Sequence, residues 1–245
     1  MPADGVAALP VPPFPPRITE GSTYESCLTT LASDPVSAVT LAEAWQADGG
    51  GDGAMHCRGL ALVAAGQPAA GAAVLEQLAT RSGPPALARA LVLGQAVQAR
   101  LMVGQAEAAI RDATLALTLS PDDVDLMIMR ASAEGGLERF QDAVDDLSAA
   151  LRLDATRADA LVARGMMRRK LSQLDLAQQD VSQALVLDPD NADGLLERGI
   201  LRQRMGDTTG ARTDWERAQR LDPNSTTADL AEQNLSLLQA GPRQQ

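Results

Sequence analysis

Histidine occurs once in this chain of 245 residues, at position 56, and cysteine only twice, at 27 and 57. A single imidazole leaves His-centred catalysis and multi-histidine metal sites short of side chains, and two thiols cannot build a four-cysteine zinc site. A basic block is also missing: 21 Lys+Arg stand against 32 Asp+Glu, a net charge of −11. Phosphate contacts need clustered cations, so nucleic acid is a poor partner. The longest charge-free stretch, Gly59 to Leu75, is interrupted by Gly66-Gln67-Pro68, too short for the ~20 apolar residues of a membrane span. No GxxxxGK[ST], GxSxG or HExxH occurs, which removes the commonest sequence signs of nucleotide binding, serine hydrolysis and zinc proteolysis.

The chain does have material for a core, with 45% hydrophobic residues, and its length suits one large or two small domains. Residues 1–21 are rich in proline and read as an exposed, polyproline-like or disordered arm. They lack a basic start and an apolar run, carry an early Asp4, and so do not read as a signal peptide. From Ser22 onward Ala, Leu, Gln, Arg and Glu dominate, all good helix formers, and the β-branched runs of strands are absent. Short breakers such as Asp34-Pro35, Gly49-Gly50-Gly51, Ser120-Pro121, Asp188-Pro189 and Asp222-Pro223 divide this region. The pattern predicts an all-α protein of helices about a dozen residues long joined by short turns.

The breakers recur with a period of 34 residues. That shift aligns Ala109, Ala143, Ala177 and Ala211, then Asp112, Asp146, Asp180 and Asp214, then Ala116, Ala150, Ala184 and Ala218. Leu119, Leu153, Leu187 and Leu221 follow, and a proline column of Pro121, Pro189 and Pro223 is broken once, by Ala155. Arg130-Ala131, Arg164-Gly165 and Arg198-Gly199 line up earlier in each unit. The complete aspartate column is expected to be structural, pairing with Arg130, Arg164 and Arg198 either within a unit or with the next one.

A 34-residue unit with a small residue at its eighth place, alanines at its twentieth and twenty-seventh, and a closing Leu-x-Leu-Asp-Pro resembles the tetratricopeptide repeat, in its bacterial form. The resemblance implies a right-handed superhelix, a solenoid of helix-turn-helix units whose small residues let paired helices cross closely. The repeats are Ala90–Asp123, Val124–Arg157, Ala158–Asn191 and Ala192–Ser225, with a fifth from Asp52 to about Pro85. Residues 22–51 resemble a degenerate helical pair, 52–225 the repeat array, and 226–245 a capping helix and short tail. In that helix Leu230, Leu235 and Leu238 stand at helical spacing before the stop at Gly241-Pro242. One departure concerns the fourth, eleventh and twenty-fourth places, usually aromatic in the family, where Trp215 alone keeps an aromatic in Val124–Ser225.

The resemblance further implies a concave groove lined by the first helices of the repeats. Its apolar floor would be Met129, Met166 and Ile200, with a basic rim of Arg169, Lys170 and Arg204. Such a groove suits an acidic and aliphatic peptide or protein segment; the competing reading pairs the rim with neighbouring acids such as Glu134 and Glu197. Asparagine is absent from the groove places of Val124–Ser225 and Lys170 is their only lysine. The carboxylate clamp of the chaperone-binding members is therefore missing, which argues against a heat-shock co-chaperone. His56 and Cys57 with Cys27 offer at most three metal ligands, and packing or a disulfide suits them better. A Cys27–Cys57 bridge would imply an oxidising compartment; some exported bacterial repeat proteins look similar in their N-terminal halves, which points to the periplasm rather than the cytoplasm. The reading is a protein-binding scaffold with no catalysis and no cofactor, or else a permanently docked accessory subunit of a larger assembly.

Overall fold

The computed structural model describes residues 18–81 and 83–240, which form thirteen α-helices and no strand. The proline-rich arm up to residue 17 and the Gly241-Pro242 stop lie outside the described residues. The chain divides into two compact halves, with the boundary after Leu137.

The first half holds α1 (Ser22–Ser33), α2 (Pro35–Ala47), α3 (Gly51–Ala64), α4 (Pro68–Ala79), α5 (Ala86–Met102), α6 (Ala106–Leu119) and α7 (Val124–Gly136). The second holds α8 (Phe140–Leu153), α9 (Ala158–Lys170), α10 (Leu174–Leu187), α11 (Ala192–Arg204), α12 (Thr208–Leu221) and α13 (Thr226–Ala240). Helices α7, α9 and α11 begin at the first residue of a 34-residue repeat. Helix α5 begins four residues before the expected Ala90, because Pro85 in extended geometry (ψ 151°) supplies its N-terminal stop and good helix formers follow at once. Asp123 and Asn191 cap α7 and α11 by accepting from the backbone N–H of Leu126 (3.1 Å) and Gly194 (2.8 Å).

Two recurring backbone conformations connect the helices. Ser120, Asp154, Asp188 and Asp222 leave the helical region at the ends of their helices, with φ between −133° and −144° and ψ between 81° and 97°, as a residue before proline is driven to do. Asp154 keeps that geometry although Ala155 follows it. The turn inside each repeat needs one left-handed residue: Gly66, Gly104 and Gly206 supply it with φ of 80°, 70° and 89°, while Glu138 and Ser172 adopt it at 60° and 61°.

Close helix crossings explain the small residues. A Cβ on Gly165 would lie 2.7 Å from Val181 Cγ2, and one on Gly199 would run into the indole nitrogen of Trp215. In the first half the core gathers Tyr24, Leu60, Leu75, Leu78 and Leu93; in the second, Leu147, Leu161, Leu195, Leu201 and Trp215, all at most 1% exposed. Helix α13 closes the second core with Ala228, Ala231, Leu235 and Leu238. Leu230 is a correction to the expected capping face: it is 48% exposed, because it stands about 100° round the helix from Ala231 and on the far side from Leu235.

Candidate functional site

In the first half a small polar group is buried in the core. Cys27 on α1 and Cys57 on α3 are fully buried and joined by a disulfide, with their Cα atoms 6.3 Å apart. Beside them lies His56, 0% exposed. Its Nε2 donates to Gln95 Oε1 of α5 (2.8 Å), so its Nδ1 is the acceptor for the Tyr24 hydroxyl of α1 (2.6 Å). Burial holds the imidazole at a pKa of about 4, well below the ordinary 6.5. This neutral ring is a structural link across three helices rather than a nucleophile's partner. Among the described residues, no group of three or more His, Cys, Asp or Glu side chains is placed to hold a metal ion, and no helix is long and apolar enough to cross a membrane.

The aspartate column is also built into the scaffold. In the second half Asp180 accepts from Arg164 Nε (3.0 Å) and Nη2 (2.7 Å), and Asp214 from Arg198 in the same way (2.9 and 2.7 Å). The pairs therefore run within a repeat, from its first helix to its second. A second arginine completes each cluster: Arg168 reaches Asp180 and Arg202 reaches Asp214, both at 2.7 Å. These arginines occupy the eleventh place, one of those expected to be aromatic. In the first half Asp112 is held by Arg100, also at the eleventh place, which bonds Glu76 and Gln105 as well. Ala96 stands where the seventh-place arginine would be, so the aspartate there is paired from the other position. Desolvation raises the Asp112 pKa, and the Arg100 contact opposes that rise. The signal missed in the sequence is a charge match, with Arg100, Arg168 and Arg202 each twelve residues before an aspartate of the column.

The predicted groove residues divide between the halves. Met129 is on α7 in the first half, where it is partly buried and packs against the apolar core. Met166, Arg169 and Lys170 on α9, with Ile200 and Arg204 on α11, belong to the second half, where these first helices pack side by side. Of the three rim cations, Arg169 forms a two-point ion pair with Glu197, whose side chain is 2% exposed; Arg169 Nη2 stands 3.0 Å from Glu197 Oε2. That guanidinium is a tie between α9 and α11, as the competing reading had it. Lys170 and Arg204 are exposed in the last turns of their helices and have no ion-pair partner among the described residues. Met166 and Ile200, one helical turn before them, are partly exposed, and Asp159 and Asp193 mark the opposite, N-terminal ends. Acid at the N-terminus and base at the C-terminus also complement each helix dipole.

No family model matches the chain, and no curated protein matches it. Solved structures do. A thermophilic tetratricopeptide-repeat protein of Thermus thermophilus is 20% identical with a TM-score of 0.61, covering 77% of this chain and 99% of that one. MamA from Desulfovibrio magneticus is 17% identical with a TM-score of 0.61, over 71% of this chain and 97% of its own. In the Cut9–Hcn1 hetero-tetramer of the anaphase-promoting complex the likeness is 16% identity with a TM-score of 0.63, over 87% of this chain and 42% of that one. At such identities the likeness is one of fold, and that fold is the tetratricopeptide repeat.

Proposed function

We propose that this protein is a non-catalytic interaction scaffold that takes a protein or peptide segment on the first-helix face of its second half. The observation that carries the reading is the pair of exposed cations, Lys170 and Arg204, set beside Met166 and Ile200 in a chain of net charge −11. Such a patch steers an acidic segment toward it against the overall field, while aliphatic contacts supply most of the affinity. Arg169 enters only as part of the floor, because Glu197 neutralises it.

The test is charge reversal at the two unpaired cations. A Lys170→Glu/Arg204→Glu double variant, with unchanged circular dichroism and melting, should lose proteins that the wild type retains from a native extract. The retained set should also be eluted by salt. Equal capture by both proteins would overturn the reading. Reversing Arg169 is the wrong experiment, since it would place two carboxylates together in a buried site. The Cys27–Cys57 bond supports a further part of the reading, that the chain works in an oxidising compartment such as the periplasm. Thiol labelling of protein taken directly from its native cells tests this, and free thiols at both positions would overturn it.

A further inference from the structure

The break in the proline column coincides with a cavity. Beside Ala155, between α8, α9 and α10, lies a cavity of about 170 Å³ that opens broadly to solvent. Leu151 and Leu161, 9% and 1% exposed, line it, and Ser148, Arg152, Arg164 and Gln183 supply its polar wall. Arg152 is exposed and has no ion-pair partner among the described residues. Arg164 donates to Asp180 twice and to Ser148 Oγ once (3.2 Å), which leaves two of the five N–H donors of a guanidinium.

The local charge favours one anion. Arg152, Arg164 and Arg168 carry three positive charges against one on Asp180. Asp154, next to Ala155, subtracts another, since its hydrogen bonds from Thr156 hold its pKa below the ordinary value. The combination is peculiar to this repeat. The positions equivalent to Arg152 and Ala155 are Thr118 and Pro121, Val186 and Pro189, and Arg220 and Pro223 in the other three. Leu161 and Arg164 also lie on the opposite side of α9 from Met166 and Lys170, as helical periodicity dictates. The cavity is therefore separate from the face that carries Lys170 and Arg204, and it stands or falls independently.

We propose that this cavity binds a carboxylate on a short aliphatic stem, with the stem against Leu151 and Leu161 and the carboxylate on Arg152 and Arg164. A partner's glutamate side chain and a free short-chain acid share that chemistry. The experiment is methyl NMR on the full chain, titrated separately with pentanoate, 1-pentanol and acetyl-alanyl-glutamyl-alanine amide. Pentanoate should shift the Leu151 and Leu161 methyls saturably, and pentanol should do so much less. Arg152→Ala should weaken pentanoate roughly fivefold. Ala155→Pro, which adds ring atoms at a residue lining the cavity, should weaken or abolish the shifts. A response to the peptide as well assigns the site to a partner's side chain, and a response to pentanoate alone assigns it to a free acid; either upholds the proposal. Three results would overturn it: no saturable shift with pentanoate or peptide, equal shifts with pentanol, or pentanoate binding unchanged in both variants.

Discussion

Protonating His56 would place a charge in a site with no exposed surface, and the consequence can be read as pH-dependent stability. The folded pKa, about 4, lies below the ordinary 6.5, so the unfolded chain takes up the proton first as pH falls. Stability present above pH 6.5 is lost progressively down to about pH 4, at most roughly 3 kcal/mol in all. Urea unfolding of the wild type and of His56→Gln between pH 7.5 and 4.5 should show the variant with the flatter dependence; parallel curves would remove His56 as the cause. The same scale governs the aspartate clusters. Asp180→Ala would leave Arg164 and Arg168, both 16% exposed, without their shared carboxylate, at a cost of about 3 kcal/mol. Arg168→Ala keeps the Arg164 pair and should cost clearly less. Denaturation midpoints for the two variants check that order. Neither site was fully legible in the sequence. The aspartate column was plain, but its second arginine sits where the family pattern led one to look for an aromatic residue, and the Tyr24–His56–Gln95 chain joins positions 32 and 39 residues apart.

Helices and turns carry the next set of expectations. Asp154 already has the extended geometry that precedes proline in the other repeats, so Ala155→Pro should stabilise by about 0.5–1 kcal/mol through the unfolded chain. Ser172 occupies the left-handed turn position that Gly66, Gly104 and Gly206 fill elsewhere; Ser172→Gly should gain roughly 1 kcal/mol by removing that strain. Gly199→Ala acts in the other direction. Its Cβ would meet the Trp215 indole, which donates to the Leu196 carbonyl at 3.1 Å, so the helices must part at a cost of about 1–3 kcal/mol. Melting temperatures of the three variants test these signs together. The close crossing was visible as a small-residue column, and the turn column was there to be read as glycines at a fixed place. Leu230 was misplaced because leucine spacing alone does not decide which face of a helix meets the core when alanines also line it.

Across the whole molecule, the disulfide confines its effect to the first half, tying α1 to α3 over a separation of 30 residues. Closing a loop of that size stabilises by about 3–4 kcal/mol in the chain-entropy model. Reduction should therefore increase amide hydrogen exchange in α1, α2 and α3, while α9 to α12 keep their protection. Uniform loss of protection along the chain would show that the two halves unfold together.

The helical class, the 34-residue period, and the starts of α7, α9 and α11 were determined by the sequence itself. Helix formers, breakers and small-residue columns act through local sterics and nearest-neighbour packing, which recur wherever the pattern recurs. Tertiary structure decided which charges remain available. Arg169 and Arg204 look alike in the sequence, one residue out of step on equivalent helices. Only packing reveals that buried Glu197 claims the first guanidinium and leaves the second exposed. A charge's partner is fixed by distance and burial between helices, and the spacing along one chain does not contain those quantities.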